Sequence, residues 1–230
     1  MRLSFSIMSV ASRAEHVRSM VNRLEAQLGE ARAAGHDVVG TSVFVDERRA
    51  GPWCGWRGAW ESSREYGSTH HVVLQDDIRF CADLPAALVQ MVSARPESVI
   101  SGFLPRKSVD VASSRGVYWV RTRRFLWAQC VVMPTALGNA ALEWIDAIES
   151  TPVAAGWKFH DDVRLAAYFT SRKIPVFVPV PHPVEHVADE IGGSVLGHNG
   201  SAARRRARAW LGEHVALADY GWGDTGFVRE

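Results

Sequence analysis

The chain has 230 residues, of which 47% are hydrophobic and 22% are charged. This composition is ordinary for a globular protein and argues against disorder, collagen-like repeats and a coiled coil. No apolar run approaches the ~20 residues of a membrane-spanning helix, and serines interrupt the short apolar stretch at the N-terminus, so it predicts a strand and not a signal peptide. The net charge is +1, and the three cysteines lack metal-ligand spacing, which predicts a reducing, cytoplasmic setting without membrane contact.

Strand and helix patterns alternate along the first part of the chain. Apolar, strand-like runs occur at residues 3–10, 38–45, 71–74 and 99–103. Apolar residues at helical spacing predict helices at 13–30, 57–66 and 84–93. This alternation predicts an α/β fold with a mostly parallel central sheet flanked by helices, in a Rossmann-like arrangement.

The second part of the chain is less regular. The pattern predicts strands at 117–120, 128–133 and 174–180, and helices at 135–148, 161–171 and 201–218. The last of these helices is rich in arginine. We therefore expect a single domain over residues 1–200, followed by a C-terminal basic helix and tail over residues 201–230.

Polar residues follow the first three predicted strands. Ser9 to Arg13 follow the first strand, Asp46 ends the second, and Asp76 and Asp77 end the third. Ligands of open α/β sheets bind at the carboxyl ends of strands. These residues are therefore candidates for one shared cleft.

The pair Asp76–Asp77 ends an apolar strand at the point where the chain leaves the core. Adjacent carboxylates repel each other and need a counter-ion. Mg²⁺ or Mn²⁺ meets this need, because both ions take one or two carboxylates together with substrate phosphates. A solvated turn in which one aspartate caps the next helix is the plainer interpretation of the same residues.

The order of these segments resembles GT-A fold glycosyltransferases with a DxD-type metal site. The matching pieces are the loop of residues 7–13, a second strand that ends at Asp46, a glycine-rich loop into a helix with Arg57, and the run Gln75-Asp76-Asp77. Gln75 departs from the family pattern, which has an acidic residue there. The resemblance implies that Asp77 binds the metal and that donor binding involves Ser9, Ala11, Arg13, Asp46, Arg57 and Asp76.

A second acidic pair, Asp161–Asp162, begins a predicted helix. A capping role explains one of the two carboxylates, since acidic residues favour the positive end of a helix. The resemblance implies that a carboxylate here is the catalytic base of inverting enzymes, which deprotonates the acceptor hydroxyl. Asp161 is the first candidate and Asp162 the second.

Late histidines offer a further metal ligand. His186 and His198 lie in a segment rich in proline, glycine and histidine. Histidine is a common metal ligand, although either residue could equally be structural. The resemblance implies a late histidine at the metal or the diphosphate, and His198 fits that role by position, with His186 as its competitor.

Arginines cluster towards the C-terminus at Arg204, Arg205 and Arg208. On a helix, Arg204 and Arg208 share one face. Such a face is usually solvated, but it can also bind nucleic-acid phosphates. A DNA acceptor that carries a 5-hydroxymethyl base is therefore possible, and an ordinary glycan or protein hydroxyl is the competing choice.

The sequence thus predicts a metal-dependent glycosyltransferase. It would move a sugar from a nucleotide-diphospho-sugar, with a UDP-sugar favoured, to an acceptor hydroxyl, using Mn²⁺ or Mg²⁺. Two other classes stay open: a metal-dependent nucleotidyltransferase or phosphodiesterase, and a non-enzymatic nucleic-acid-binding protein. The first alternative needs more carboxylates around its metals, and the second needs no role for Asp77.

Overall fold

A computed structural model describes residues 1–125, 127–149, 160–193, 205–224 and 226–230. The strands of these residues are β1 (Leu3–Ser9), β2 (Val38–Val45), β3 (His70–Gln75), β4 (Ile78–Phe80), β5 (Val99–Ser101), β6 (Trp119–Thr122), β7 (Cys130–Pro134), β8 (Val176–Pro179), β9 (Val184–His186) and β10 (Val228–Arg229). The helices are α1 (Ala14–Ala33), α2 (Pro52–Glu61), α3 (Leu84–Ala94), α4 (Lys107–Ser114), α5 (Thr135–Glu149) and α6 (Asp161–Ser171). Short 3-10 turns precede α1 and follow α2, at Ala11–Arg13 and Ser62–Tyr66.

Eight strands form one sheet in the order β10-β6-β8-β5-β7-β3-β1-β2, and β4 pairs with β9 in a separate small sheet. Four of the seven neighbouring pairs of the large sheet are parallel, and the antiparallel pairs are those of β7 with β3 and β5 and of β6 with β8. The predicted mostly parallel α/β fold is confirmed. Strands β3, β1 and β2 are parallel neighbours, so their carboxyl ends lie at one edge of the sheet.

Two apolar clusters cover the two faces of the sheet. Alternate residues of β3 belong to different clusters, since Val72 and Leu74 pack in one and Val73 packs in the other. Helices α1 and α3 contribute to the first cluster, and α2, α5 and α6 contribute to the second. Burial on both faces explains why β3 is a nearly continuous apolar run in the sequence.

Three stacked tryptophans of α2 form the centre of the second cluster. The ring centroids of Trp53 and Trp56 are 5.6 Å apart, and those of Trp56 and Trp60 are 5.3 Å apart. Helix α2 begins at Pro52 and not near Arg57, so most of the predicted glycine-rich loop is helical. Proline suits the first turn of a helix, where its missing N–H has no partner to lose.

The predicted basic helix over 201–218 is wrong for its described part. Residues 205–218 contain no helix. The Glu185 carboxylate accepts the Ala207 N–H at 2.8 Å, and the Asp83 carboxylate accepts the N–H groups of Leu217 and Ala218 at 2.7 Å each. Carboxylates of the domain therefore take backbone donors that a helix would have used internally. In the part of the chain that is described, no helix combines the length and the apolar character needed to cross a bilayer.

Candidate functional site

A cavity of about 470 Å³ opens at the carboxyl ends of β1, β2 and β3. It brings together four of the predicted donor-binding residues, Ser9, Arg13, Asp46 and Asp76. Ala11 is exposed beside these residues and does not line the cavity. The ends of the three strands thus share one cleft, but Asp77, which was predicted to lie there too, is not among its lining residues.

Asp46 holds the loop that forms one wall of the cavity. Its backbone N–H donates to the Ser9 carbonyl at 2.8 Å, which ties the end of β2 to the end of β1. Its two carboxylate oxygens accept the N–H groups of Ala50 at 3.0 Å and Gly51 at 2.8 Å. The carboxylate therefore shapes the turn from β2 into α2.

Arg13 is the counter-ion of the acidic pair. Its guanidinium is buried, forms an ion pair with Asp76, and lies 3.5 Å from Oδ2 of Asp77. The Asp76 carboxylate also accepts the Val10 N–H at 3.0 Å, and Arg13 donates to the Gly193 carbonyl at 2.6 Å. Arg13 therefore offsets part of the repulsion between Asp76 and Asp77, for which the sequence predicted a metal ion.

Asp77 lies between Arg13 and His186. Nε2 of His186 is 3.5 Å from Oδ2 of Asp77. Burial disfavours the charged form of Asp77, but His186 and Arg13 together outweigh burial and hold the pKa of this carboxyl below its usual value. The other oxygen, Oδ1, is buried and has no hydrogen-bond partner among the described residues.

An unpartnered buried carboxylate oxygen suits a metal ion. The carbonyl of Arg205 is 3.2 Å from Nδ1 of His186, and a hydrogen bond there directs Nε2 towards Asp77, as outer partners of metal-binding histidines do. No group of three or more candidate ligand residues occurs in the described segments. The residues present thus fit a sparse Mn²⁺ or Mg²⁺ site, in which substrate oxygens complete the coordination. His198, the first choice for a histidine ligand, lies outside the described residues.

A hydrogen bond from Gln75, the last residue of β3, connects Asp161 to the strand end that precedes Asp76 and Asp77. Nε2 of Gln75 donates to Oδ2 of Asp161 at 3.1 Å, and the Asp162 N–H donates to Oδ1 of Asp161 at 2.9 Å. Asp161 is only 4% exposed. Burial, with a contribution from the charge of Asp162, raises the pKa of Asp161 to about 7. A carboxyl with this pKa exchanges protons near neutral pH.

Asp162 has the character of a helix-capping residue. Its carboxylate accepts the Val163 N–H at 2.8 Å within the first turn of α6. Burial raises its pKa, while the hydrogen bond from Val163 and the positive charges of His160 and Arg205 act in the opposite direction. Both carboxylates thus accept an N–H of the first turn of α6, and Asp161 also contacts Gln75 at the strand end that precedes Asp76 and Asp77.

Arg57 does not reach the cavity. Its guanidinium donates to the two carboxylate oxygens of Asp146 at 2.5 and 3.0 Å, and to Glu61 at 3.2 Å. Arg57 lies inside α2, which begins five residues earlier than predicted, and its side chain packs towards Asp146 of α5 instead of the strand ends. The donor-binding role predicted for Arg57 is corrected on this geometry.

The C-terminal arginines do not form one basic face. Arg208 pairs with Asp110 at 2.8 Å, and Arg206 pairs with Asp189 and Glu190 at 2.9 Å each. Arg205 is exposed and lies near enough to Asp162 to affect its charge. Arg204 is outside the described residues. The shared helical face predicted for Arg204 and Arg208 is lost where Arg208 is described, because that segment is not helical.

Sequence reasoning missed three residues of this site. Gln75 was considered only as a departure from an acidic family position, and Arg49 and Gly193 were not among the predicted site residues. The structure places Arg49 and Gly193 on the cavity wall and Gln75 between the two acidic pairs. The position of Gln75 beside Asp76 was a usable signal, whereas nothing in the sequence links Gly193 with Arg13.

No protein-family model and no curated protein matches the chain. Among solved structures, a "Putative Glucose-1-Phosphate Thymidylyltransferase" from Bacillus anthracis is 8% identical, with a TM-score of 0.45 over 81% of this chain and 89% of that chain. A mannose-1-phosphate geranyltransferase from Thermus thermophilus is 12% identical, with a TM-score of 0.40 over 80% and 76%. An inositol-1-phosphate CTP transferase from T. maritima is 10% identical, with a TM-score of 0.38 over 80% and 90%. At these identities none of these activities transfers to this chain.

Proposed function

We propose that this chain is a metal-dependent glycosyltransferase of the GT-A type that uses a nucleotide-diphospho-sugar. The hydrogen bond from Gln75 to Asp161 is the observation that carries the proposal. It connects a carboxyl with a pKa near neutrality to the strand end whose next residue, Asp76, lines a cavity. In this proposal Asp76 serves donor recognition and Asp161 serves proton removal, and Gln75 connects the two residues along the chain and by its hydrogen bond.

Asp161 is the base in this proposal. The acceptor hydroxyl gives its proton to the Asp161 carboxylate while its oxygen bonds to the anomeric carbon of the donor. The bond from that carbon to the phosphate oxygen breaks, and its electron pair leaves with the nucleoside diphosphate. A base with a pKa near the working pH is effective at such a transfer, because a substantial fraction of it is unprotonated and still accepts a proton readily.

Asp77 and His186 are the residues that would hold the metal ion. A bound divalent cation would neutralise charge on the departing diphosphate. Arg13 neutralises Asp76 and keeps the first loop of the cavity in place through its contact with Gly193. Asp76 and Asp46, which both line the cavity, are positioned to contact the ribose or the sugar of the donor.

A sugar-phosphate nucleotidyltransferase is the second candidate. The convergence of Asp161 and Asp77 at one strand end favours it, since two-metal phosphoryl transfer needs several carboxylates at one place. The products distinguish the two. A glycosyltransferase releases a nucleoside diphosphate from a nucleotide-sugar, whereas a nucleotidyltransferase releases pyrophosphate from a nucleoside triphosphate and a sugar phosphate.

The acceptor is a hydroxyl compound in this proposal. Arg205 lies beside Asp162, so an anionic acceptor such as DNA with a hydroxymethyl base remains a prediction. The pairing of Arg206 and Arg208 with carboxylates removes much of the positive charge on which that prediction depended.

The test is a thermal-shift screen of UDP-, GDP-, ADP- and TDP-sugars with and without Mn²⁺, followed by product analysis. We expect one donor to raise the melting temperature more strongly with Mn²⁺ than without it. Asp161→Asn should keep this shift and lose transfer by about 10²-fold or more, the scale of general base catalysis. Asp162→Asn is the matched control and should retain most activity. Pyrophosphate release with hexose 1-phosphate, or full activity in Asp161→Asn, would contradict the proposal.

A further inference from the structure

Two arginines line the cavity, and they differ in what they contact. The guanidinium of Arg13 is already used by Asp76, Asp77 and the Gly193 carbonyl. The guanidinium of Arg49 forms no hydrogen bond or ion pair with the described residues. Arg49 is exposed, and on the described cavity wall it is the arginine whose guanidinium has no protein partner.

The two carboxylates that line the cavity already have hydrogen-bond partners other than Arg49. Asp76 has Arg13, and both carboxylate oxygens of Asp46 accept backbone N–H groups. Neither carboxylate is a partner of Arg49. A ligand that enters the cavity can therefore bind the Arg49 guanidinium without displacing a protein partner, and an anionic group suits a guanidinium best.

The backbone holds Arg49 in an unfavourable conformation. Its φ is +51°, a left-handed conformation that residues with a side chain rarely adopt. The Arg49 N–H donates to the Asp46 carbonyl at 3.3 Å, and the Asp46 carboxylate fixes the next two residues. This turn fixes the backbone from which the Arg49 side chain reaches the cavity wall.

We infer that Arg49 binds the diphosphate of the nucleotide donor. A guanidinium offers several N–H donors in one plane and matches phosphate oxygens in a bidentate manner. The inference rests on the proposed function. It assigns to Arg49 the donor-binding role that was predicted for Arg57. It places diphosphate recognition on the wall formed by β2 and α2, opposite the loop that carries Arg13.

Calorimetric titration with UDP, GDP, ADP and TDP tests the inference. We expect Arg49→Gln to weaken the nucleoside diphosphate that binds the native protein by about tenfold to a hundredfold, the usual range for a lost hydrogen bond to a charged group. Arg48→Gln is the matched control, because Arg48 is exposed, carries the same charge and does not line the cavity. Inorganic phosphate and hexose 1-phosphate, titrated in parallel, separate a diphosphate site from a general anion site.

A second variant excludes a folding defect. Glycine adopts positive φ freely, so Arg49→Gly should melt at the native temperature or above and still lose affinity. Unchanged affinity in Arg49→Gln, equal loss in Arg48→Gln, or equally strong binding of inorganic phosphate would overturn the inference and leave the proposed function standing. If the native protein binds none of the four nucleoside diphosphates, the proposed function and this inference both fail.

Discussion

At the scale of single residues, the charge of Asp161 opposes folding. Its pKa is raised from 3.8 to about 7 in the folded state, so the native protein resists losing this proton. The free energy of unfolding therefore falls as the pH rises from about 4 to about 7, because the unfolded chain ionises first. Three pKa units correspond to roughly 4 kcal/mol at most.

We predict that Asp161→Asn stabilises the protein, and more at pH 8 than at pH 5. Asparagine has nearly the same shape and no charge, and Gln75 can turn its amide to keep a hydrogen bond. The measurement is the melting temperature at both pH values, where 1 kcal/mol corresponds to about 2–4 °C for a chain of this size. The exposed Asp219, changed to Asn, is the control. An equal shift at both pH values would show that Asp161 is not buried as a neutral acid.

A second prediction is that Gln75 influences the pKa of Asp161 and therefore the pH dependence of transfer. Gln75→Glu places a carboxylate within hydrogen-bond distance of Asp161, and like charges raise the pKa of Asp161 further. The pH of half-maximal transfer should rise by about one unit or more. Gln75→Leu removes the donor without adding charge and should give a smaller rise. A pH–rate profile that is the same in all three proteins would separate Gln75 from the reaction.

At the scale of elements, the tryptophan stack of α2 depends on a glycine in α5. A Cβ atom at Gly138 would lie 1.8 Å from Cζ2 of Trp60, which is far inside any contact distance. A Cβ atom at Gly29 in α1 would meet nothing within 4 Å. The two positions are both helical and differ in packing.

We predict opposite effects for Gly138→Ala and Gly29→Ala. The first should lower the free energy of unfolding by roughly 1–3 kcal/mol or more, because the core is overpacked. The second should raise it by about 0.5–1 kcal/mol, because alanine is the better helix former. Urea denaturation of both variants measures the difference. Stabilisation by Gly138→Ala would mean that α5 does not pack on Trp60 as described.

The periodic elements were predictable from the sequence, and the exceptions have physical causes. Helix α6 begins at Asp161 and ends at Ser171, as the apolar spacing and the acidic first turn predict. The segment over 205–218 has helical spacing too, but its backbone donors bond to Glu185 and Asp83. Local propensity is a weak prior that tertiary hydrogen bonds override.

The strand-end residues were the predictable part of the site. The rule that ligands sit at strand carboxyl ends brought Arg13, Asp46 and Asp76 to one cavity. The sequence could not show that Arg57 faces Asp146 or that Arg49 lines the cavity. The packing of α2 on α5 decides the first contact, and the turn held by the Asp46 carboxylate decides the second.

At the scale of the whole molecule, the burial of the three cysteines shows how far the packing excludes solvent from the interior. Cys81 and Cys130 are fully buried, and Cys54 is partly exposed. Burial raises the pKa of Cys130 to about 12 and raises that of Cys81 as well. Burial, with Asp46 next in effect, also raises the pKa of Cys54. Thiolates react and thiols do not, so the raised pKa slows the reaction of all three, and burial also shields Cys81 and Cys130.

We predict that the native protein exposes one slowly reacting thiol and that the unfolded protein exposes three. Titration with a thiol reagent, with and without denaturant, counts them. Cys54→Ser should abolish the native reaction and leave two thiols after unfolding. Rapid native labelling of Cys81 or Cys130 would show that the sheet opens far more readily than this packing allows.

The strand order has a consequence for how the chain is made. Strand β3 takes β1 as one neighbour and β7 as the other, and β7 is encoded much later. At about 5–20 residues per second, a ribosome needs several seconds to pass from the end of β3 to the end of β7. During that interval the apolar edge of β3 is unpaired, and an unpaired apolar edge is a template for pairing with other chains. The nascent chain thus passes through an aggregation-sensitive period just before Asp161, the proposed base, is synthesised.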